Sequence, residues 1–126
     1  MTRVRRTLTG LLLAVVLLAT AGVQAAGNGG FDVAAGFQNF DPTVHVDVLA
    51  VDCNPGFTCG TVNIEVDWDD GSAIDDHVEY YTTIGDEEFQ HEYDDDGTYH
   101  VELSLDDNFG NWYKVTRDME IDQSGL

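Results

Sequence analysis

Beyond residue 30, apolar and polar residues alternate with a period of two, and no long stretch repeats at helical spacing. Thr43 to Val51 sets Val44, Val46, Val48 and Ala50 on one face and His45, Asp47 and Leu49 on the other. Thr61 to Trp68 turns Val62, Ile64, Val66 and Trp68 inward and leaves Asn63, Glu65 and Asp67 to water. Thr98 to Leu105 has the strongest strand pattern, with Tyr99, Val101, Leu103 and Leu105 in and His100, Glu102 and Ser104 out. Less regular runs at Phe31 to Phe40, His77 to Thr83 (an edge), Glu88 to Tyr93 and Tyr113 to Ile121 complete the set. Phe89, His91 and Tyr93 share a face, as do Val115, Met119 and Ile121. Turn chemistry separates the runs: Asp41-Pro42, Pro55-Gly56, Asp69-Asp70-Gly71-Ser72, Asp94-Asp95-Asp96-Gly97 and Asp106 to Asn111. About seven short strands with turn signals roughly every 8–12 residues predict a sandwich or a barrel.

The N-terminus reads differently. Arg3, Arg5 and Arg6 precede the unbroken apolar run Leu11 to Leu18, and small residues follow as far as Val23-Gln24-Ala25. Charge, apolar core and small-x-small site in that order form a secretory signal peptide, with the cut expected after Ala25 or one residue later. The competing reading is a retained membrane anchor. The stretch, interrupted by Thr20 and Gly22, is short for a span of about 20 residues. Arg5-Arg6 also hints at twin-arginine export, without the rest of that motif. The expected organisation is a signal peptide over 1–25, a flexible leader over 26–30, one sandwich domain over 31–122 and a frayed tail over 123–126.

Charge narrows the partners. The chain has 5 basic and 24 acidic side chains, and three of the basic ones lie in the signal segment. Lys114 and Arg117 remain against all the carboxylates, a formal charge of −22. Such a surface repels nucleic acid and, once the signal is removed, anionic membrane surfaces. The acidity reads either as a solvated surface suited to high salt or as carboxylates clustered for a cation.

Cys53 and Cys59 are the only cysteines and flank the Pro55-Gly56 turn. A local disulfide is expected in an oxidising compartment. A zinc site would need further nitrogen or sulfur ligands, and none lies within sequence reach.

Two segments carry a family resemblance. The first is Val66-Asp67-Trp68-Asp69-Asp70-Gly71-Ser72. The second runs His91-Glu92-Tyr93 through Gly97-Thr98-Tyr99-His100-Val101 to the Asp107-Asn108-Phe109-Gly110 turn. Together they resemble the polycystic-kidney-disease (PKD) domain, with its Trp-Asp-Gly-type turn, His-x-Tyr, Gly-x-Tyr-x-Val and Asp-x-x-Gly. The resemblance covers Val44 to Ile121 and implies an all-β, immunoglobulin-like two-sheet β-sandwich. It departs from the family at Asp69, where glycine is usual and a positive φ is needed. Its structural positions are Trp68, Gly71, His91, Tyr93, Gly97, Tyr99 and Val101. Trp68 suits the buried ring of a central strand, and Asp95-x-Gly97-x-Tyr99 has the form of a tyrosine corner. Val101 stands where antibody domains place a cross-sheet cysteine, so aliphatic packing must serve there.

The chemistry points to a non-catalytic module, binding an extracellular protein or polysaccharide or serving cell-surface structure, with no required cofactor. No Gly-x-Ser-x-Gly, His-Glu-x-x-His or phosphate-cradling glycine loop is present, so a small secreted hydrolase is set aside. The alternative is a calcium-stabilised structural domain. Its best site joins Asp69 and Asp70 to Asp106 and Asp107, provided the strands before the two turns end at the same pole. None of these segments has EF-hand spacing. An exposed Trp112, with Tyr80 and Tyr81, offers a stacking platform for a ligand. His91 is expected to be structural, and His45, His77 and His100 solvent-facing.

With so few cations, the domain should gain stability as salt screens its self-repulsion. The expected outcome is a melting temperature that rises steadily from millimolar to molar sodium chloride. A flat profile would contradict the self-repulsion.

Overall fold

The computed structural model describes residues 23–80 and 86–125. Eight strands are present among them: β1 (Val23–Gly27), β2 (Phe31–Phe40), β3 (Thr43–Cys53), β4 (Thr61–Asp67), β5 (Asp75–Tyr80), β6 (Glu87–Glu92), β7 (Gly97–Asp107) and β8 (Trp112–Ile121). They form two antiparallel sheets, one ordered β1-β8-β7-β4-β5 and the other β2-β3-β6. Of the sandwich and the barrel that the alternation predicts, the fold is the all-β two-sheet sandwich.

The core lies between the sheets, filled from both sides by the period-two apolar positions. Val62, Ile64, Val66, Val101, Leu103, Leu105, Val115, Met119 and Ile121 come from the five-stranded sheet. Phe31, Val44, Val46, Val48 and Val51 come from the other. β-Branched and aliphatic side chains suit such a face, because they pack against their neighbours on the pleat. Val101 is fully buried, so apolar packing fills the place of the cross-sheet disulfide.

The alternation in β3 breaks at one point. Ala34 pairs with Ala50 and Ala35 with Val48, so Leu49 is bulged out of the ladder. The bulge reverses the phase. Val51, not Ala50, enters the core, and Leu49 is left exposed. An extra residue in one strand has this effect because each side chain beyond it moves to the other face.

Two boundary expectations change. Ala26 and Gly27, read as part of a flexible leader, belong with Val23 to Ala25 to β1, which pairs with β8 from Val23↔Arg117 to Gly27↔Tyr113. The tail is hydrogen-bonded as far as Ser124: Gln123 N–H donates to Asp96 Oδ1 and Ser124 N–H to Asp122 Oδ1. The strand expected over His77 to Thr83 corresponds to β5, described over Asp75–Tyr80. Residues 81–85 lie outside the described residues, as does the expected signal segment as far as Gly22.

Trp68 follows β4 and is 1% exposed. Its indole N–H donates to Asp75 Oδ2 at 2.9 Å, and its carbonyl accepts the Tyr93 hydroxyl at 2.7 Å. Both polar ends of this buried pair are thus satisfied, as burial requires. Trp68→Ala should cost about 3–5 kcal/mol, through lost burial and the cavity left behind. Tyr93→Phe should cost about 1–3 kcal/mol, because it leaves the buried Trp68 carbonyl without its donor. Chemical denaturation checks both, and an unchanged midpoint for Trp68→Ala would contradict its place in the core.

Candidate functional site

Most of the structural positions of the family resemblance (Trp68, Gly71, His91, Tyr93, Gly97 and Tyr99) lie at one pole of the sandwich, and its Asp107 turn lies at the other. Trp68 stacks on His91 with ring centroids 5.1 Å apart, and His91 meets Tyr93 edge to face at 4.8 Å. Tyr93 stacks in turn on Tyr99 at 4.0 Å. The Tyr99 hydroxyl donates to the Asp95 carbonyl, which closes the tyrosine corner, and Gly97 with φ 155° supports the turn beneath it. Asp69 adopts φ 65°, the left-handed conformation for which glycine is the usual residue. Its side chain compensates, since Oδ2 accepts the His100 N–H at 2.9 Å. Gly71, at φ 81°, completes the turn.

Asp70 organises the turn further. Oδ1 accepts the Ser72 N–H and hydroxyl, and Oδ2 lies 2.6 Å from His91 Nε2. Partial burial works to raise the Asp70 carboxyl, but the hydrogen bonds from Ser72 and His91 outweigh it and hold the group below the ordinary carboxylate range. Burial, reinforced by Asp70 and Tyr99, pushes the Tyr93 hydroxyl well above its ordinary value. One His91 ring nitrogen is engaged and one ring face is covered by Trp68.

Asp107 does the same work at the opposite pole. Oδ1 accepts the Phe109 and Asn111 N–H groups, and Oδ2 accepts the Gly60 N–H and the Asn111 side-chain amide. Burial again works to raise the carboxyl, and these four donors bring it below the ordinary range. Asn111, 3% exposed, is the buried polar side chain among the described residues. It also donates to the Thr58 carbonyl at 2.6 Å. The Cys53–Cys59 disulfide is formed, with Cα atoms 5.9 Å apart, and ties the neighbouring loop. A disulfide fits an oxidising compartment.

This geometry overturns the four-aspartate calcium site. β4 and β7 are antiparallel neighbours, with Val62 opposite Asp107 and Asp67 opposite Glu102. Asp106 and Asp107 therefore lie at the start of β4, whereas Asp69 and Asp70 lie beyond its end. About seven residues of extended chain separate the two pairs, roughly 20 Å. No cation can draw ligands from both. Asp69 Oδ2 and both oxygens of Asp70 and of Asp107 are, besides, already engaged by partners in the chain itself. Among the described residues, no group of three or more His, Cys, Asp or Glu side chains is arranged to hold a metal.

The Trp112 expectation leads to a different surface. Trp112 opens β8, is 42% exposed, and borders a groove of about 240 Å³ on the five-stranded sheet. The register explains the lining. Trp112 pairs with Asp106, which pairs with Asn63, and one step along Lys114 pairs with Ser104, which pairs with Glu65. Their side chains point away from the core, so three adjacent strands present one aromatic ring among amide, hydroxyl, ammonium and carboxylate groups. Tyr80 ends β5, separated from β8 by β7 and β4, and Tyr81 lies outside the described residues. Trp112 is therefore the exposed aromatic ring of the groove.

The sequence reading missed Asn63, Glu65, Ser104 and Lys114 as a group. It set three of them on wet faces, but only the register shows that they adjoin Trp112. It also missed Asn28 and Asn111. Asn28 bonds both ways with Trp112 (N–H to the Trp112 carbonyl, Oδ1 from the Trp112 N–H) and donates to the Gly110 carbonyl. The clue available was that each asparagine stands next to a glycine, too common a pattern to single out.

The chain matches no protein-family model, no curated protein and no solved structure with which it was compared.

The four histidines each lie beside a carboxylate: His45 by Glu88, His77 by Glu87, His91 by Asp70 and His100 by Asp118. The hydrogen bond and charge of Asp118 raise His100 above 6.5. A raised group contributes stability fully below its unfolded value, and loses it as pH rises through the folded value. Asp70 and Asp107, held below 3.8, contribute above that value and lose their contribution as pH falls. Stability should therefore be highest between 3.8 and 6.5 and fall on both sides. Denaturation midpoints across pH check this, and His100→Gln should flatten the alkaline fall.

Proposed function

We propose that this chain is a secreted, non-catalytic, PKD-like module that binds an uncharged glycan in the groove beside Trp112. One observation carries the reading: a half-exposed indole on an open sheet face, ringed by hydrogen-bonding side chains from three strands. Such a ring offers a flat apolar face to a pyranose, while Asn63, Glu65, Ser104 and Asp106 offer acceptors and donors to its hydroxyls. At about 240 Å³ the groove is smaller than the ~300–1,000 Å³ of drug-sized pockets, which suits one sugar unit of a longer chain. Glu65, Asp106 and the net charge repel uronate or sulfated polymers and so favour a neutral one.

Several features support a binding role over a catalytic one. The groove lies open on a sheet face, where water screens the charges that catalysis would use. Its lining contains Ser104 but no histidine to serve as its base. The PKD-like reading draws support from the aromatic stack, the tyrosine corner and the positive φ at Asp69. Secretion draws support from the disulfide and the N-terminal pattern.

Trp68 and Trp112 are the two tryptophans, and only the second is exposed. Titration with soluble neutral polysaccharides should therefore change the fluorescence through Trp112. Trp112→Ala should weaken binding about tenfold, the worth of one well-placed stacking contact near 1.4 kcal/mol. The melting temperature should stay close to that of the parent. Binding of neutral glycan that survives the substitution, or capture of a protein ligand in place of glycan, would overturn the reading.

A further inference from the structure

We infer that the export signal is cut between Ala21 and Gly22, four residues before the position that the sequence pattern favours. The inference rests on the reading of this chain as secreted. Several small-x-small triplets follow the apolar run, among them Ala19-Thr20-Ala21 and Val23-Gln24-Ala25. Both satisfy the small-residue requirement of an export signal peptidase, so sequence alone leaves the choice to position. The fold separates them.

Residues 23–27 are a strand of the domain. β1 is the edge of the five-stranded sheet, and its five residues pair in register with Tyr113 to Arg117 of β8. The attachment continues past the strand. Asn28 N–H donates to the Trp112 carbonyl, and Asn28 Oδ1 accepts the N–H groups of Trp112 and Gly30. At Gly27 the backbones come so close that an added Cβ would lie 2.8 Å from the Trp112 carbonyl oxygen. This is the contact of an element packed into the sheet.

A cut after Ala25 would remove three of the five residues of β1. It would set a new ammonium group at Ala26, opposite Lys114. It would also uncover backbone donors and acceptors of β8 from Val115 to Arg117, an unprotected edge of the kind that recruits strands from other chains. A cut after Ala21 keeps β1 whole. In that step water adds its hydroxyl to the Ala21 carbonyl carbon, the Ala21–Gly22 bond breaks, and the proton goes to the Gly22 nitrogen. The catalyst is the membrane-bound signal peptidase of the export machinery.

The test is the intact mass and N-terminal sequence of the chain exported from a host expressing the full precursor. The expected first residue is Gly22. A start at Ala26 or Gly27, or any other processed start, overturns the inference and leaves secretion standing. A chain retained in the cell with residue 1 still attached overturns the secretion reading as well. Two variants sharpen the result. Ala21→Leu should abolish the Gly22 start, whereas Ala25→Leu should retain it; the reverse pattern overturns the inference. Finally, a chain beginning at Ala26 should melt several degrees below one beginning at Gly22. Equal melting temperatures would remove the physical ground for the choice.

Discussion

The sandwich depends on the hydrogen bond from the Tyr93 hydroxyl to the Trp68 carbonyl. Trp68 follows β4 of one sheet and Tyr93 follows β6 of the other, so this 2.7 Å bond joins the two layers in the core. Both residues are about 1% exposed, and a buried polar bond of this kind cannot be exchanged for water. The rest of the pole is arranged around it. His91 and Tyr99 stack on its two rings, Asp70 holds His91, and the Asp69 turn places Asp70. With no cross-sheet disulfide, this polar joint and the aliphatic layers fix how the sheets face one another.

The same arrangement shows how a chain with two basic residues beyond its N-terminal segment tolerates its acidity. The carboxylates at the turns are not paired with cations, of which there are almost none. They accept backbone N–H groups instead: Asp67 from Asp69, Asp69 from His100, Asp70 from Ser72, Asp107 from Gly60, Phe109 and Asn111. Each such bond uses the charge to satisfy a backbone donor. The acid-rich turns are therefore part of the fold as well as a solvated surface. Arg117 is used differently. It occupies an inward position of β8 between Val115 and Met119 and donates to the Phe37 carbonyl of β2, a second polar tie between the sheets.

Most of the fold was legible because alternation is a local signal. Val62, Ile64, Val66 and Trp68 are buried in the predicted phase, as are Val101, Leu103 and Leu105. The Leu49 bulge was not legible, since Leu49 and Val51 are both apolar and nothing in the run marks the extra residue. β1 was hidden by its composition. Val23 to Gly27 is short and small, and it resembles the end of a signal peptide more than it does a strand. The Trp112 groove needed the register of three strands, and register is set by pairing between distant segments. The calcium site failed for the same reason. Asp69 and Asp70 do lie in a turn, but Asp106 and Asp107 end β7, and the antiparallel pairing of β4 with β7 puts the two pairs at opposite poles.

The two poles have different tasks. At the aromatic pole, polar groups are consumed in holding the sheets together, and little is left to meet a ligand. At the other pole the rigid parts lie beneath and beside the groove. Asn111 joins the disulfide loop to the β7–β8 turn through Thr58 and Asp107, and Asn28 clamps the backbone of Trp112 from both sides. The indole thus stands on a fixed main chain while its ring remains half-exposed. A binding surface gains from such preorganisation, because fewer degrees of freedom are lost when a ligand arrives. The clamp also makes the N-terminal segment part of the support of the Trp112 face. Asn28 is one residue past β1, so whatever holds β1 against β8 also holds Trp112 in place.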